Sequence, residues 1–117
     1  MALPTYEELM LPLLRHIADG RQYSYADLVP LLRRDFRLSD TDLLVTNEGG
    51  QPRLVNRLAW AKKYLQEAGL LIGLRRFGIT QRGADTLATN PEGIDKAYLQ
   101  RFPEFRLYLQ RSKEHRR

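Results

Sequence analysis

Arg53-Leu54-Val55-Asn56-Arg57-Leu58-Ala59-Trp60-Ala61-Lys62-Lys63-Tyr64-Leu65-Gln66-Glu67-Ala68-Gly69 is the stretch on which the fold turns. Leu54, Leu58, Ala61, Leu65 and Ala68 recur at alternating helical steps, so one apolar stripe runs along a helix expected from about Arg53 to Ala68. Gly69 suits the left-handed position that closes such a helix. Immediately downstream, Leu70-Leu71-Ile72-Gly73-Leu74 and Phe77-Gly78-Ile79-Thr80 read as two strands turning around Arg75-Arg76. A long amphipathic helix that runs into a tight basic hairpin is a specific local order.

Upstream lie two more helices. Thr5-Tyr6-Glu7-Glu8 is a capping box ahead of Leu9, Leu13, Leu14 and Ile17, and predicts a helix to about Ala18, closed by Asp19-Gly20. Ser24-Tyr25-Ala26-Asp27 caps a second helix with Leu28, Leu31, Leu32 and Phe36 on one side. Pro12 and Pro30 lack an amide donor, so a kink or a later start is expected at each. Gln22-Tyr23 suits a very short strand, Ser39-Asp40-Thr41-Asp42 caps a brief helical turn ending near Val45, and Thr46 to Pro52 is a loop. After the hairpin, Thr80 caps a helix through Leu87 that stops at Asn90-Pro91, and Ile94 to Arg101 and Pro103 onward are shorter helical candidates. The order, two helices, a turn, a helix, a hairpin and a helix, is that of a winged helix, a helix-turn-helix variant. The fold class expected is therefore mainly α with a small β-hairpin, with extra C-terminal helices. The long excursion over residues 37–52 is the departure from a plain helix-turn-helix, whose corresponding turn is tight.

Length and composition narrow the function. A chain of 117 residues forms one domain, and 43% hydrophobic with 28% charged residues suits a folded core. The absence of cysteine excludes disulfides, thiolate metal sites and a Cys nucleophile. Only His16 and His115 remain as histidine ligands or bases, and His16 sits among Leu13, Leu14 and Ile17, where a structural role is expected. Apolar runs are too short for a membrane span or a signal peptide, and Met1-Ala2-Leu3-Pro4 has no basic lead, so a cytoplasmic protein without a membrane partner is expected. The net charge of +5 is unevenly spread. Residues 53–82 hold Arg53, Arg57, Lys62, Lys63, Arg75, Arg76 and Arg82 against Glu67 alone, whereas residues 1–52 and 83–105 are mildly acidic. The end, 106–117, is basic again through Arg106, Arg111, Lys113, Arg116 and Arg117. A concentrated cationic segment attracts phosphate backbones, which makes double-stranded DNA the expected partner.

On the Arg53–Ala68 helix, Asn56, Lys63 and Glu67 fall opposite the apolar stripe, with Arg53, Arg57 and Trp60 on the neighbouring arc. The first half of a recognition helix approaches base edges, where Arg pairs with guanine and Asn with adenine. Arg53, Asn56, Arg57 and Trp60 are therefore the base-edge candidates. Lys63, the hairpin-tip Arg75 and Arg76, and Arg82 are the phosphate-backbone candidates. Trp60 has two readings. It stacks on a base or lines a pocket for a displaced one, or it packs with Tyr64 against the wing or the C-terminal helices.

Asn56 through Leu71, with the Asn-Arg-x-x-Trp-Ala run as its most specific piece, resembles the N-terminal domain of Mrr-type restriction endonucleases. So do Pro4-Thr5-Tyr6-Glu7-Glu8, Ile79-Thr80-Gln81-Arg82-Gly83 and Phe102-Pro103-Glu104-Phe105, which spreads the likeness over Pro4 to Phe105. The resemblance implies a winged-helix DNA-binding domain, residues 1–105, that precedes a magnesium-dependent nuclease of a modification-dependent (type IV) system cutting methylated DNA. It gives Asn56, Arg57 and Trp60 a DNA-facing role, and it makes residues 106–117 a basic tail or the start of an interdomain linker. The nuclease, with its Asp and Glu/Gln-x-Lys metal site, has no counterpart here. No cofactor is expected of this chain, magnesium belonging only to that other domain, and the chain itself is expected not to be an enzyme.

Two function classes stay open. A DNA-binding module predicts steep salt dependence. A winged-helix protein-interaction module, a homodimer included, predicts an exposed apolar patch and little salt dependence. A catalytic domain is disfavoured, because no nucleophile–base pair or carboxylate pair is present and Gly49-Gly50 lacks the Lys-Ser/Thr of a phosphate loop.

Overall fold

The computed structural model describes residues 3–115, the side chains of Glu114 and His115 excepted, so Arg116, Arg117 and the His115 ring lie outside the described residues. The elements in chain order are α1 (Tyr6–His16), α2 (Tyr25–Phe36), α3 (Asp40–Leu44), α4 (Arg53–Glu67), β1 (Leu71–Gly73), β2 (Phe77–Ile79), α5 (Gln81–Ala88), α6 (Lys96–Leu99) and α7 (Pro103–His115). This is a winged helix, mainly helical, with one small antiparallel hairpin and extra C-terminal helices. Among the described residues no helix is long and apolar enough to cross a membrane.

The first three helices start where their capping boxes place them. Thr5, Ser24 and Ser39 each accept from the backbone amide three residues on, and Glu8, Asp27 and Asp42 reach back to the cap amides. The doubt over the prolines resolves in favour of the caps: Pro12 and Pro30 lie inside α1 and α2. The carbonyls they leave without an intrahelical donor belong to Glu8 and Ala26, both exposed residues, where water can supply the missing bond. α4 has no side-chain cap; its first amide, on Arg53, donates instead to the Val45 carbonyl at 2.9 Å.

That bond shows what the 37–52 excursion does. α3 fills part of it, and the rest closes on itself through a bridge between Thr46 and Pro52 and a bond from the Asn47 amide to the Gln51 carbonyl at 2.9 Å. The excursion is thus a compact knob at the start of α4, and α2 and α4 remain packed as in a helix-turn-helix.

α4 lies chiefly against α1, and Leu9, Leu13 and Leu14 of α1, with Ile17 at its end, meet Leu54, Leu58, Ala61 and Leu65 in one core where all are essentially buried. Gly69 takes φ +80° and ends α4, as expected. The hairpin pairs Leu71 with Ile79 and Gly73 with Phe77. Tyr23 adds the short strand-like piece foreseen at Gln22-Tyr23, exchanging two backbone bonds with Phe77 at 2.8 and 2.9 Å, which leaves β2 in the middle. Gly73 is required at the tip: its φ is +128°, and a Cβ there would sit 2.2 Å from the Arg76 carbonyl oxygen. Gly83 is required for space, because a Cβ would come within 2.2 Å of the Leu70 carbonyl oxygen. Thr80 explains its partner in the Thr-x-x-Gly step: its Oγ1 accepts from the Gly83 amide and donates to the Gly69 carbonyl, so one hydroxyl joins the end of α4 to the start of α5.

α7 is longer than the composition implies. It continues to His115 through residues read as a charged tail, with Phe105 fully buried and Tyr108 packed on Tyr64 at 6.0 Å.

Candidate nucleic-acid interface

The outer arc of α4 divides into a covered and an open part. Tyr64 is the covered centre, its ring meeting Tyr6, Phe105 and Tyr108 at 5.4–6.0 Å. α7 therefore lies along the second half of the arc. Lys63 pairs there with Glu67 at 2.7 Å and places its Nζ 5.4 Å over the Tyr108 ring. The hydrogen bond to Glu67 raises the Lys63 pKa, so its charge is firmly held and already has a partner within the helix. Arg82 is engaged likewise: Nη1 donates to the Ala68 carbonyl at 3.0 Å and Nη2 meets Glu104 at 3.0 Å, holding that carboxyl below the usual carboxylate value.

Arg57 faces the N-terminal segment. Its Nη1 donates to the Leu3 and Pro4 carbonyls at 3.1 and 3.0 Å. This guanidinium fastens the segment ahead of α1 onto α4, a tether between positions more than fifty residues apart in sequence. Arg57→Met is therefore expected to lower stability by about 1.5–3 kcal/mol, the scale of hydrogen bonds to a charged donor. Urea unfolding would read it, and an unchanged midpoint would contradict the tether.

The open part is the first half of the arc. Arg53 is half-buried, with Nε donating to Asn47 Oδ1 at 3.1 Å and Nη2 to the Thr46 carbonyl at 3.4 Å. Asn56 donates from Nδ2 to Gln51 Oε1 at 2.9 Å. Two of the base-edge candidates thus share one polar cluster with Asn47 and Gln51 of the preceding loop, residues that no sequence pattern singles out. Their only sequence signal is proximity to the helix start. Trp60 lies one turn beyond Asn56, stacks at 5.8 Å on Tyr64 and keeps 47% of its surface exposed. Trp60 thus packs beside Tyr64 and keeps about half of its surface open.

The wing carries the other cations. Arg76 donates from Nη2 to the Gln22 carbonyl at 3.1 Å and lies 3.8 Å from Asp27, so it helps to hold the wing against the start of α2. Among the described residues Arg75 makes no hydrogen bond or ion pair and projects from the tip beside Leu74, itself 81% exposed. Lys62, counted in the sequence only as one more cation, is buried. Its Nζ donates to the Gly73 carbonyl at 2.6 Å and sits 5.3 Å over the Phe77 ring. Burial, then the neighbouring Lys63, pull its pKa down. Lys62 therefore anchors the wing to α4. Its spacing from Leu58 and Leu65 marks it as an edge-of-core position.

His16, half-buried, bonds through Nε2 to Asp35 and links α1 to α2, the structural role expected of it.

Neither curated proteins nor solved structures gave a match to this chain. The family model of the Mrr N-terminal domain matches residues 6–89, from the start of α1 to the end of α5, a narrower span than the Pro4–Phe105 likeness read from motifs. That family is a non-catalytic domain associated with Mrr-type restriction systems. With α1, the Asn-Arg-x-x-Trp helix and the Thr-x-x-Gly junction all inside the matched span, this chain belongs to the Mrr N-terminal domain family.

Proposed function

We propose that this chain is a double-stranded DNA-binding module that positions a nuclease, carried elsewhere in an Mrr-type protein, on methylated DNA. The single observation that carries the reading is the pairing of an unengaged cation, Arg75, at the wing tip with an open first half of α4 that presents Arg53, Asn56 and Trp60. Arg75 is the primary phosphate contact and Arg76 an auxiliary one. Arg53 and Asn56 exchange their loop partners Asn47 and Gln51 for base edges, a swap of one hydrogen bond for another that costs little net energy. Leu74 is the kind of exposed apolar side chain that wedges into a minor groove beside a cation. Arg57, Lys63 and Arg82 contribute mainly by holding neighbouring elements in place, and only their remaining charge reaches the duplex. Methylation enters through the family, with Trp60 as the apolar contact for a methyl group. A cytoplasmic location fits a restriction function.

The test is a duplex titration at 50 and 200 mM salt, with methylated and plain DNA. Affinity is expected to fall steeply with salt, by roughly tenfold or more over this range for three or so phosphate contacts. Methylated duplex is expected to bind more tightly. Absence of binding at low salt removes the DNA reading; equal affinity for the two duplexes removes only the methylation claim.

Ile72 and Leu74, 67% and 81% exposed on one hairpin, favour a second reading in which the wing docks on a second copy of the chain. Sedimentation that shows a salt-insensitive dimer would support it.

A further inference from the structure

We propose that the groove between α4 and α7 is a nucleotide-binding pocket, in which Trp60 stacks on a nucleobase and Lys96 and Lys113 hold its phosphate. The groove has a volume of about 420 Å³, within the roughly 300–1,000 Å³ of small-ligand sites. Its walls are Trp60 and Tyr64 from α4, Lys96 from α6, and Tyr108, Ser112 and Lys113 from α7. α6 and α7 lie beyond the residues that the Mrr N-terminal domain family matches, so the pocket is formed where the family domain meets this chain's own C-terminal helices.

Charge and ring geometry select the ligand. Aromatic-lined grooves commonly take cations. Here the cation positions are filled from within: Lys96 Nζ lies 5.4 Å over the Tyr64 ring, and Lys63 Nζ lies 5.4 Å over the Tyr108 ring. Lys63 itself is paired with Glu67, but Lys113 adds a second ammonium to the lining beside Lys96, and no carboxylate is among the described lining residues. A cationic ligand is therefore repelled. Trp60, in contrast, has a tilted ring neighbour in Tyr64 and nearly half its surface open, which suits a planar ring that stacks. A planar base joined to an anionic phosphate meets both conditions, and the Ser112 hydroxyl offers a further polar contact. The larger depression beside α1 is the opposite case: Glu7, Glu8, Glu92 and Asp95 line it against Arg15, and it would repel a phosphate.

Such a nucleotide has two sources. One is a nucleotide turned out of a DNA strand, which rests on the DNA-binding reading. Asn56, on the open arc, is one helical turn from Trp60, so a duplex against Asn56 brings its bases to the mouth of the groove. The other is a free mononucleotide, which needs no duplex.

Trp60 is the only tryptophan in the chain and so reports its own occupancy. In the first arm, deoxyadenosine monophosphate is titrated into the protein and tryptophan emission is followed, with inorganic phosphate and deoxyribose 5-phosphate as controls. Saturable quenching by the nucleotide alone is expected, weakened roughly tenfold or more in a Lys96→Ala/Lys113→Ala variant whose melting curve confirms folding. In the second arm, a duplex carrying one 2-aminopurine opposite a mismatch is titrated with protein. A change in 2-aminopurine emission, lost in Trp60→Ala, identifies the extruded nucleotide as the source. Quenching in the first arm with a silent second arm keeps the pocket and assigns it to the free nucleotide, whether or not the duplex binds. No quenching by the mononucleotide together with unchanged 2-aminopurine emission overturns the pocket. Loss of all duplex binding with quenching intact would instead remove the DNA reading and leave the pocket standing.

Discussion

Phe77→Ala is expected to destabilise this domain by about 3–5 kcal/mol, the range for deleting a fully buried phenylalanine ring. The ring is completely inaccessible, packs 5.5 Å from Tyr25 and lies beneath the Lys62 ammonium. Its backbone is the centre of the small sheet, facing Gly73 across the hairpin on one side and exchanging both its hydrogen bonds with Tyr23 on the other. Removing it takes away the apolar floor of the wing and leaves the buried Lys62 charge without its ring partner. Small domains hold only about 5–15 kcal/mol in total, so a large part of the stability is at stake. Urea unfolding with the transition followed by circular dichroism would read the change. Phe77→Leu, which keeps most of the apolar volume, should cost clearly less. A loss below about 1 kcal/mol for the alanine variant would mean that the wing is not packed as described.

Arg75→Ala combined with Arg76→Ala should lower duplex affinity by roughly fifty-fold at 0.1 M salt, since each phosphate contact adds about 0.9 to the salt slope and so nearly a factor of eight at that concentration. The slope itself should flatten by about two. The single variants separate the two roles. Arg75 has no partner among the described residues, so Arg75→Ala should leave the unfolding midpoint unchanged while it weakens binding. Arg76→Ala removes the bond to the Gln22 carbonyl and the approach to Asp27, so it should cost a little stability as well. A double variant with the wild-type salt slope would place the DNA contacts, if there are any, away from the wing. The combination is a better probe than one that includes Arg57, whose loss would loosen the N-terminal segment and confound affinity with folding.

The candidate interface was less legible than the fold, and the reason lies in side-chain partners. Arg57 and Arg75 are the same residue type in one cationic segment, and helical periodicity placed Arg57 on an outward arc. The difference between them comes from Leu3 and Pro4, which reach across from the far end of the chain to occupy the Arg57 guanidinium. Lys62 shows the reverse. Its charge suggested solvent, yet its long aliphatic stem reaches over the Phe77 ring, and its ammonium finds the one carbonyl, on Gly73, that makes burial tolerable. The loop residues Asn47 and Gln51 carried no pattern at all, and they matter only because the excursion folds back onto the start of α4.

Local chemistry in the chain was enough for the elements and their order. Three serine and threonine capping boxes set the helix starts, a 3.6-residue apolar rhythm defined the buried face of α4, and glycines marked the turns, because each acts through neighbours within about one helical turn. Which cations are free was decided only in three dimensions. Arg57, Lys62, Lys63 and Arg82 are bound by partners from the N-terminus, the wing, their own helix and α7, and Arg75 is left open. The groove at Trp60 arises in the same way, from α6 and α7 closing over a helix whose own sequence specifies only that the indole points away from the core. Long-range packing assigns partners, and a side chain's availability to a ligand is whatever that assignment leaves unspent.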